Sequence, residues 1–166
     1  MELYLVRHGI AVSLGEAGTE SDEDRMLSEK GLRRTRAVAR ALTQLDCQPN
    51  AVWSSPLPRA RQTADIMAEY LTPENGVRLT PLLEPDVTSR KTMEWLTSLP
   101  EADALMLVGH MPGLERLASC LLTCRATMNA AFKKAAVMHL WFEGPVQAGA
   151  ATLEWFLPPA ILRKMG

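Results

Sequence analysis

Short apolar runs alternate along the chain with longer stretches in which apolar residues recur every three or four positions. Tyr4-Leu5-Val6 reads as a buried strand, and Ala51 to Ser55 as a second. Val77 to Leu83 reads as a third strand with some alternation, and Ala104-Leu105-Met106-Leu107-Val108 as the clearest fully buried one. Helical patterns lie between them. The first starts at Leu27-Ser28-Glu29 and runs to about Leu45, with Leu32, Val38, Ala41, Leu42 and Leu45 as its apolar stripe. Ser28 is a good N-cap, and Glu29 suits the positive end of the helix dipole. The second runs from Arg59 to about Leu71 with Ala60, Thr63, Ala64, Met67 and Leu71 inward; Pro58 fits its entry. Thr88 to Leu99, and about Pro112 to Leu122, complete the set. The tail differs: Ala136 to Phe142 and Ala151 to Leu157 read as a hairpin or adjacent strands joined by a turn around Gly144-Pro145 and Gly149, and Ala160 to Met165 as a short closing helix.

Strands alternating with helices predict an α/β three-layer sandwich, a mostly parallel central sheet with helices on both faces. With 166 residues, 47% of them hydrophobic, a single domain over 1–166 with a sizeable core is expected. No internal repeat, low-complexity tract or linker breaks it.

Charge and cysteine content narrow the function classes. A net charge of −1 leaves no electrostatic footprint for nucleic acid or membrane. Arg33, Arg34, Arg36 and Arg40 are therefore read as a solvated helix face. The three cysteines, Cys47, Cys120 and Cys124, are no disulfide framework. Cys120 and Cys124 sit one helical turn apart; with no second Cys or His pair at matching spacing they are read as core thiols, not metal ligands. A reducing, cytoplasmic setting follows as the expectation. No signal-peptide pattern is found at the N-terminus, and no apolar run approaches the roughly 20 residues a membrane span needs. The tryptophans Trp53, Trp95, Trp141 and Trp155 are scattered and read as core and rim.

The candidate chemistry lies where strands end. The first strand stops at Arg7-His8-Gly9: a rigid fork of donors, an imidazole able to act as nucleophile or base, and a glycine that permits a tight turn. The second leads through Pro56-Leu57-Pro58 to Arg59, and the Ala104–Val108 strand to Gly109-His110. In an open α/β sheet the carboxyl ends of parallel strands share one edge. Two arginines and two histidines can therefore converge on one anion, and a phosphoryl group wants this set. Arginine forks neutralise it, one histidine attacks phosphorus, and a protonated second imidazole stabilises the equatorial oxygens. The N-termini of the helices after Pro58 and near Pro112 add N–H groups and dipole. Between Gly9 and the first helix lies a polar loop, Ile10 to Met26, holding Glu20, Asp22, Glu23, Asp24 and Arg25. Loops in such a position are often functional.

Leu-Val-Arg-His-Gly at Leu5 to Gly9, Ser-Ser-Pro-Leu-Pro-Arg-Ala-Arg-Gln-Thr-Ala at Ser54 to Ala64, and Leu-Val-Gly-His-Met-Pro at Leu107 to Pro112 resemble the histidine phosphatase superfamily. The resemblance covers nearly the whole chain and implies a phosphoglycerate mutase-like fold. Short length and the Gly-His-Met-Pro form look most like the small branch of SixA-type phosphohistidine phosphatases. The resemblance implies that His8 is the nucleophile and that Arg7, Arg59 and His110 clamp the phosphoryl group. It also implies that Arg25, just before Leu-Ser, lies near the site as a substrate-binding residue. Arg61 matches the motif but not the clamp position. His139, inside a strand-like run, matches no family site residue and is read as structural.

The expected activity is metal-independent removal of phosphate from histidine on a partner protein of a phosphorelay or phosphotransfer system. No cofactor is called for, and the expected state is a monomer. A small-molecule phosphomonoesterase or mutase of the same superfamily is the alternative. It needs a carboxylic acid to protonate an alkoxide, for which Glu84 is the candidate, with Asp86 close by. Less favoured is a non-catalytic phosphate-binding protein on this fold. No Gly-x-x-x-x-Gly-Lys-Ser/Thr run supports a P-loop enzyme.

Overall fold

The computed structural model describes residues 1–125 and 129–165. Its centre is one six-stranded sheet with the spatial order β3-β2-β4-β1-β5-β6. The strands are β1 (Glu2–Arg7), β2 (Ala51–Ser54), β3 (Val77–Leu79), β4 (Ala104–Gly109), β5 (Val137–Trp141) and β6 (Thr152–Leu157). The first four in sequence are mutually parallel where they pair, whereas β5 runs antiparallel to β1 and β6 antiparallel to β5. The helices are α1 (Glu29–Gln44), α2 (Pro58–Leu71), α3 (Ser89–Ser98), α4 (Gly113–Thr123) and the short α5 (Pro159–Leu162). The expected fold class is the one observed.

Alternation along β1 divides the core in two, because successive strand residues face opposite sides. Tyr4 and Val6 pack with Val38, Leu42, Val52, Met67 and Met106 on one face. Leu3 and Leu5 pack with Leu107, Leu114, Leu117, Phe132 and Phe142 on the other. Helices α1, α2 and α5 cover the first face and α3 and α4 the second. Burial of β1 and β4 on both sides explains why their sequences are nearly continuous apolar runs.

Ser28 caps α1 as expected, its hydroxyl accepting from the Gly31 amide at 3.1 Å. Gly31 is required there for space: a Cβ would lie 2.0 Å from the Ile10 carbonyl oxygen. The Ser28 amide donates to that same oxygen at 2.9 Å, which fixes the loop after Gly9 against the start of α1.

Two expectations need correction. The third strand ends at Leu79 rather than Leu83, and Pro81–Leu83 forms a 3₁₀ turn. Pro81 has no N–H for a ladder, and the Thr80 hydroxyl takes the Leu82 amide at 3.3 Å instead. The cysteines do not all read as core thiols: Cys47 is buried, but Cys120 is half-buried and Cys124 exposed. Cys124 lies beyond α4 as its C-cap, with φ of 61°, where the helix no longer turns its side chain inward.

Candidate active site

Strand register brings the candidate residues together. Arg7 pairs with Gly109 across β1 and β4, and Ser54 with Val108 across β2 and β4. The residues that follow leave the sheet side by side: the His8 amide donates to Gly109 O at 3.0 Å and the Ser55 amide to Val108 O at 3.0 Å. Because β5 is antiparallel, its beginning lies at this same edge. The Ala135 amide donates to Arg7 O at 3.0 Å, so the segment Phe132–Lys134 borders the site.

His8 is buried, and its Nδ1 lies 2.7 Å from its neighbour's carbonyl, Gly9 O. A carbonyl can only accept, so the proton belongs on Nδ1 and the lone pair on Nε2. The turn is held rigidly. The Gly9 amide donates to Thr63 Oγ1 at 3.0 Å, and that hydroxyl donates to Arg59 O at 2.7 Å, tying the His8 turn to the first turns of α2. A Cβ at residue 9 would lie 2.5 Å from Thr35 Oγ1, so this approach requires glycine.

His110 faces His8, with ring centroids 4.9 Å apart. Its Nε2 is 2.9 Å from Ser55 Oγ, while its buried Nδ1 has no partner. Burial pushes the His8 imidazole down to about 3, helped by the neighbouring His110, which competes for a proton, and by the charges of Arg59 and Arg7, and opposed by the Gly9 carbonyl. His110 is pushed down to about 4, by burial first and then by Arg59 and Arg7, against the pull of Asp22. Both rings are therefore neutral near pH 7.

The guanidinium of Arg7 is half-buried; Nη1 donates to Phe132 O at 2.6 Å and Nε is unpartnered. Arg59 is buried and donates through Nη2 to Asp22 Oδ2 at 2.8 Å and through Nη1 to Asp22 O. Arg25 reaches the other oxygen of that carboxylate, Nη1 to Asp22 Oδ1 at 2.7 Å, and anchors itself through Nε on Val12 O at 2.7 Å. Asp22 thus bridges two arginines, and its carboxyl is held below the usual range chiefly by the hydrogen bond from Arg25. Lys134 joins the cationic set: burial lowers its ammonium, and so do Arg25, Arg7 and Arg59.

The structure therefore brings together Arg7, His8, Arg59 and His110, with Arg25 one carboxylate away. Glu84 follows the 3₁₀ turn and borders a small cavity with His110, Leu83 and Gly113. Asp86 is exposed on the loop beyond it. Arg61 points away, beside Asp65 at 3.9 Å on the exposed face of α2. His139 stacks on Tyr4 within the sheet at 4.6 Å. Ser55, Thr63, Asp22 and Lys134 were not singled out as site residues by the sequence. Ser55 and Thr63 lie inside the second motif, and Asp22 inside the acidic loop. Lys134 carries no local signal, since its place depends on the direction of β5. Among the described residues no cluster of three or more His, Cys, Asp or Glu side chains is arranged to hold a metal ion.

What this arrangement can do follows from its parts. An unprotonated Nε2 on a fixed ring, with two guanidinium groups close enough to lower its proton affinity, is a set able to attack and hold a tetrahedral anion. The family model for the histidine phosphatase superfamily (branch 1) matches residues 3–105. The chain belongs to the histidine phosphatase superfamily. An uncharacterized protein of Picosynechococcus sp. is 37% identical over 158 residues, covering 93% of this chain and 89% of that one. The fold matches the protein histidine phosphatase SixA complexed with tungstate, with a TM-score of 0.84 at 22% identity over 98% of this chain and 99% of the other. It also matches phosphoserine phosphatase from Entamoeba histolytica in complex with 3-phosphoglyceric acid, with a TM-score of 0.72 at 18% identity over 95% and 96% of the two chains.

Proposed function

We propose that this superfamily member is a phosphohistidine phosphatase acting on a partner protein of a phosphorelay or phosphotransfer system, with His8 as nucleophile. The observation that carries the proposal is the His8 Nδ1–Gly9 O hydrogen bond of 2.7 Å, which leaves the ring's lone pair on Nε2. In the first step the Nε2 lone pair attacks phosphorus, and the P–N bond to the substrate imidazole breaks. With its other ring nitrogen protonated, that imidazole departs neutral. In the second step water attacks the phosphorus of phospho-His8 and gives its proton to the phosphate. His8 also departs as a neutral imidazole, because Nδ1 has kept its proton against Gly9 O. Arg7 and Arg59 hold the phosphoryl oxygens, and His110 donates to an equatorial oxygen once the bound dianion has raised its proton affinity.

Neither step needs an acid to protonate a leaving alkoxide. The phosphohistidine reading is supported by the three motifs and the fold likeness to SixA. A second reading, a small-molecule phosphomonoesterase, is favoured by one observation: Glu84 borders the same small cavity as His110, where an acid would be useful. The test is metal-free hydrolysis of a phosphohistidine peptide beside a panel of phosphate monoesters, for wild type, His8→Ala and Glu84→Gln. Rapid phosphohistidine loss that is abolished in His8→Ala and unaffected in Glu84→Gln upholds the proposal. Preference for one ester, with a large rate loss in Glu84→Gln, favours the second reading. Activity surviving in His8→Ala overturns the nucleophile assignment.

A further inference from the structure

Beside the clamp, on the β5 side, lies a cavity of about 240 Å³ lined by Arg34 of α1, Lys133 and Lys134 ahead of β5, and Arg163 after α5. Among the described residues none of these four cations makes an ion pair, although the chain as a whole carries a net charge of −1. Arg34, Lys134 and Arg163 are half-buried. Four cations lining one cavity, with no counter-ion among the described residues, give it a positive character that favours an anion. The cavity lies beside the site: Lys134 lines it, and the Lys134 ammonium also feels Arg7, Arg25 and Arg59.

On the opposite flank the sheet order puts a groove of about 650 Å³ whose charged lining is mainly acidic: Asp22, Glu23, Glu84 and Asp86, with Lys91 the single cation. The clamp therefore sits between an acidic and a basic flank. The basic cavity draws its cations from three separate elements, interleaved with apolar Ile10, Pro159 and Ala160. That apolar lining suits an acidic side chain with a hydrocarbon stem better than a free, fully hydrated phosphate.

We infer that the cavity formed by Arg34, Lys133, Lys134 and Arg163 is a recognition subsite for an acidic residue flanking the phosphohistidine of the partner protein. The identity of the occupant rests on the function proposed above. An Asp or Glu carboxylate would enter the cavity while the phosphohistidine reaches His8, and the pair of contacts would select partners that carry an acidic flank.

The experiment uses two synthetic phosphohistidine peptides that differ only in having Glu or Gln beside the modified residue. Wild type is expected to turn over the Glu peptide with a kcat/KM higher by roughly three- to tenfold, the size of one or two well-placed charge pairs. In Arg34→Gln/Arg163→Gln the preference should vanish through KM, while turnover of the Gln peptide is unchanged. Arg163→Glu should instead turn over a Lys-flanked peptide better than wild type does, a gain that a damaged fold could not produce. Equal turnover of the Glu and Gln peptides by wild type, or a preference that survives the double substitution, overturns the subsite and leaves the proposed function standing. Should neither peptide be hydrolysed, the proposed function fails, and calorimetric binding of the unphosphorylated Glu peptide decides the cavity. Binding lost in the double variant upholds it; no binding to wild type overturns it.

Discussion

Lowering the pH from 7 to 5 should destabilise the folded protein by about 4 kcal/mol through two histidines alone. The figure follows from burial. His8 and His110 keep neutral rings down to about pH 3 and about pH 4, respectively. In the unfolded chain each ring has an ordinary pKa near 6.5. Between those limits the unfolded state binds more protons than the native state, so stability falls as pH falls. At about 1.4 kcal/mol per pH unit below 6.5, each ring costs about 2 kcal/mol at pH 5, and the result requires only that the folded values lie below 5. The loss begins near pH 6.5 and is complete for His110 by about pH 4 and for His8 by about pH 3. Urea unfolding followed by tryptophan fluorescence at pH 7, 6 and 5 measures it. His8→Asn and His110→Asn should each lose about 2 kcal/mol less than wild type over that interval, a difference from which the other titrating groups cancel. Identical pH dependence in wild type and both variants would refute the neutral-pair reasoning. Sulfate, a dianion throughout this range, gives a second readout: it should bind more tightly at pH 5 than at pH 7, because an anion in the clamp restores proton affinity to His110.

Arg59→Lys keeps the charge but loses the fork; phosphatase kcat/KM should fall roughly 10²-fold or more, with folding unchanged by circular dichroism. Asp22→Asn removes the carboxylate that bridges Arg59 and Arg25, and tungstate inhibition should tighten by a few fold. Weaker inhibition would mean that Asp22 acts mainly by orienting Arg59. Gly31→Ala places a methyl group 2.0 Å from Ile10 O, so the melting temperature should drop by the equivalent of roughly 1–3 kcal/mol despite the better helix propensity of alanine. An unchanged melting temperature would show that the loop after Gly9 shifts at no cost.

The parallel half of the molecule was legible because its signals are local. Both faces of β1 and β4 are buried, so the strands appear as apolar runs, and each ends in a residue that apolar packing cannot explain: Arg7, then His8, and His110. Once those runs are taken as parallel, their carboxyl ends share an edge, and the convergence of His8, Arg59 and His110 follows from topology. The tail was readable as a hairpin but not in direction. Only the antiparallel pairing of β5 with β1 carries Phe132 to Lys134 back to the same edge, which gives Arg7 its carbonyl anchor and the site its lysine. Asp22 was hidden for another reason. An acidic loop reads as solvated, and its role depends on Arg25 and Arg59 approaching it from separate segments. The overlong third strand was a local error: Leu82 and Leu83 look like strand residues until Pro81 and the Thr80 cap are weighed.

The function proposed above sets a conflict for a site built on histidine: it needs positive charge to hold the anion and an uncharged ring to attack it. Here the two requirements reinforce each other. Burial and the nearby Arg7 and Arg59 oppose protonation of His8, so its lone pair persists well below neutral pH, and the Gly9 carbonyl fixes which nitrogen carries that lone pair. The cations in turn are restrained without being fully neutralised: Arg7 by a backbone carbonyl, Arg59 by a carboxylate that it shares with Arg25. An arriving dianion changes the balance at His110 first, since that ring is held neutral by burial and by the same two arginines. Under the proposed function, protonation of His110 would then be coupled to occupancy of the clamp, so that the acid form exists when there is an oxyanion for it to stabilise.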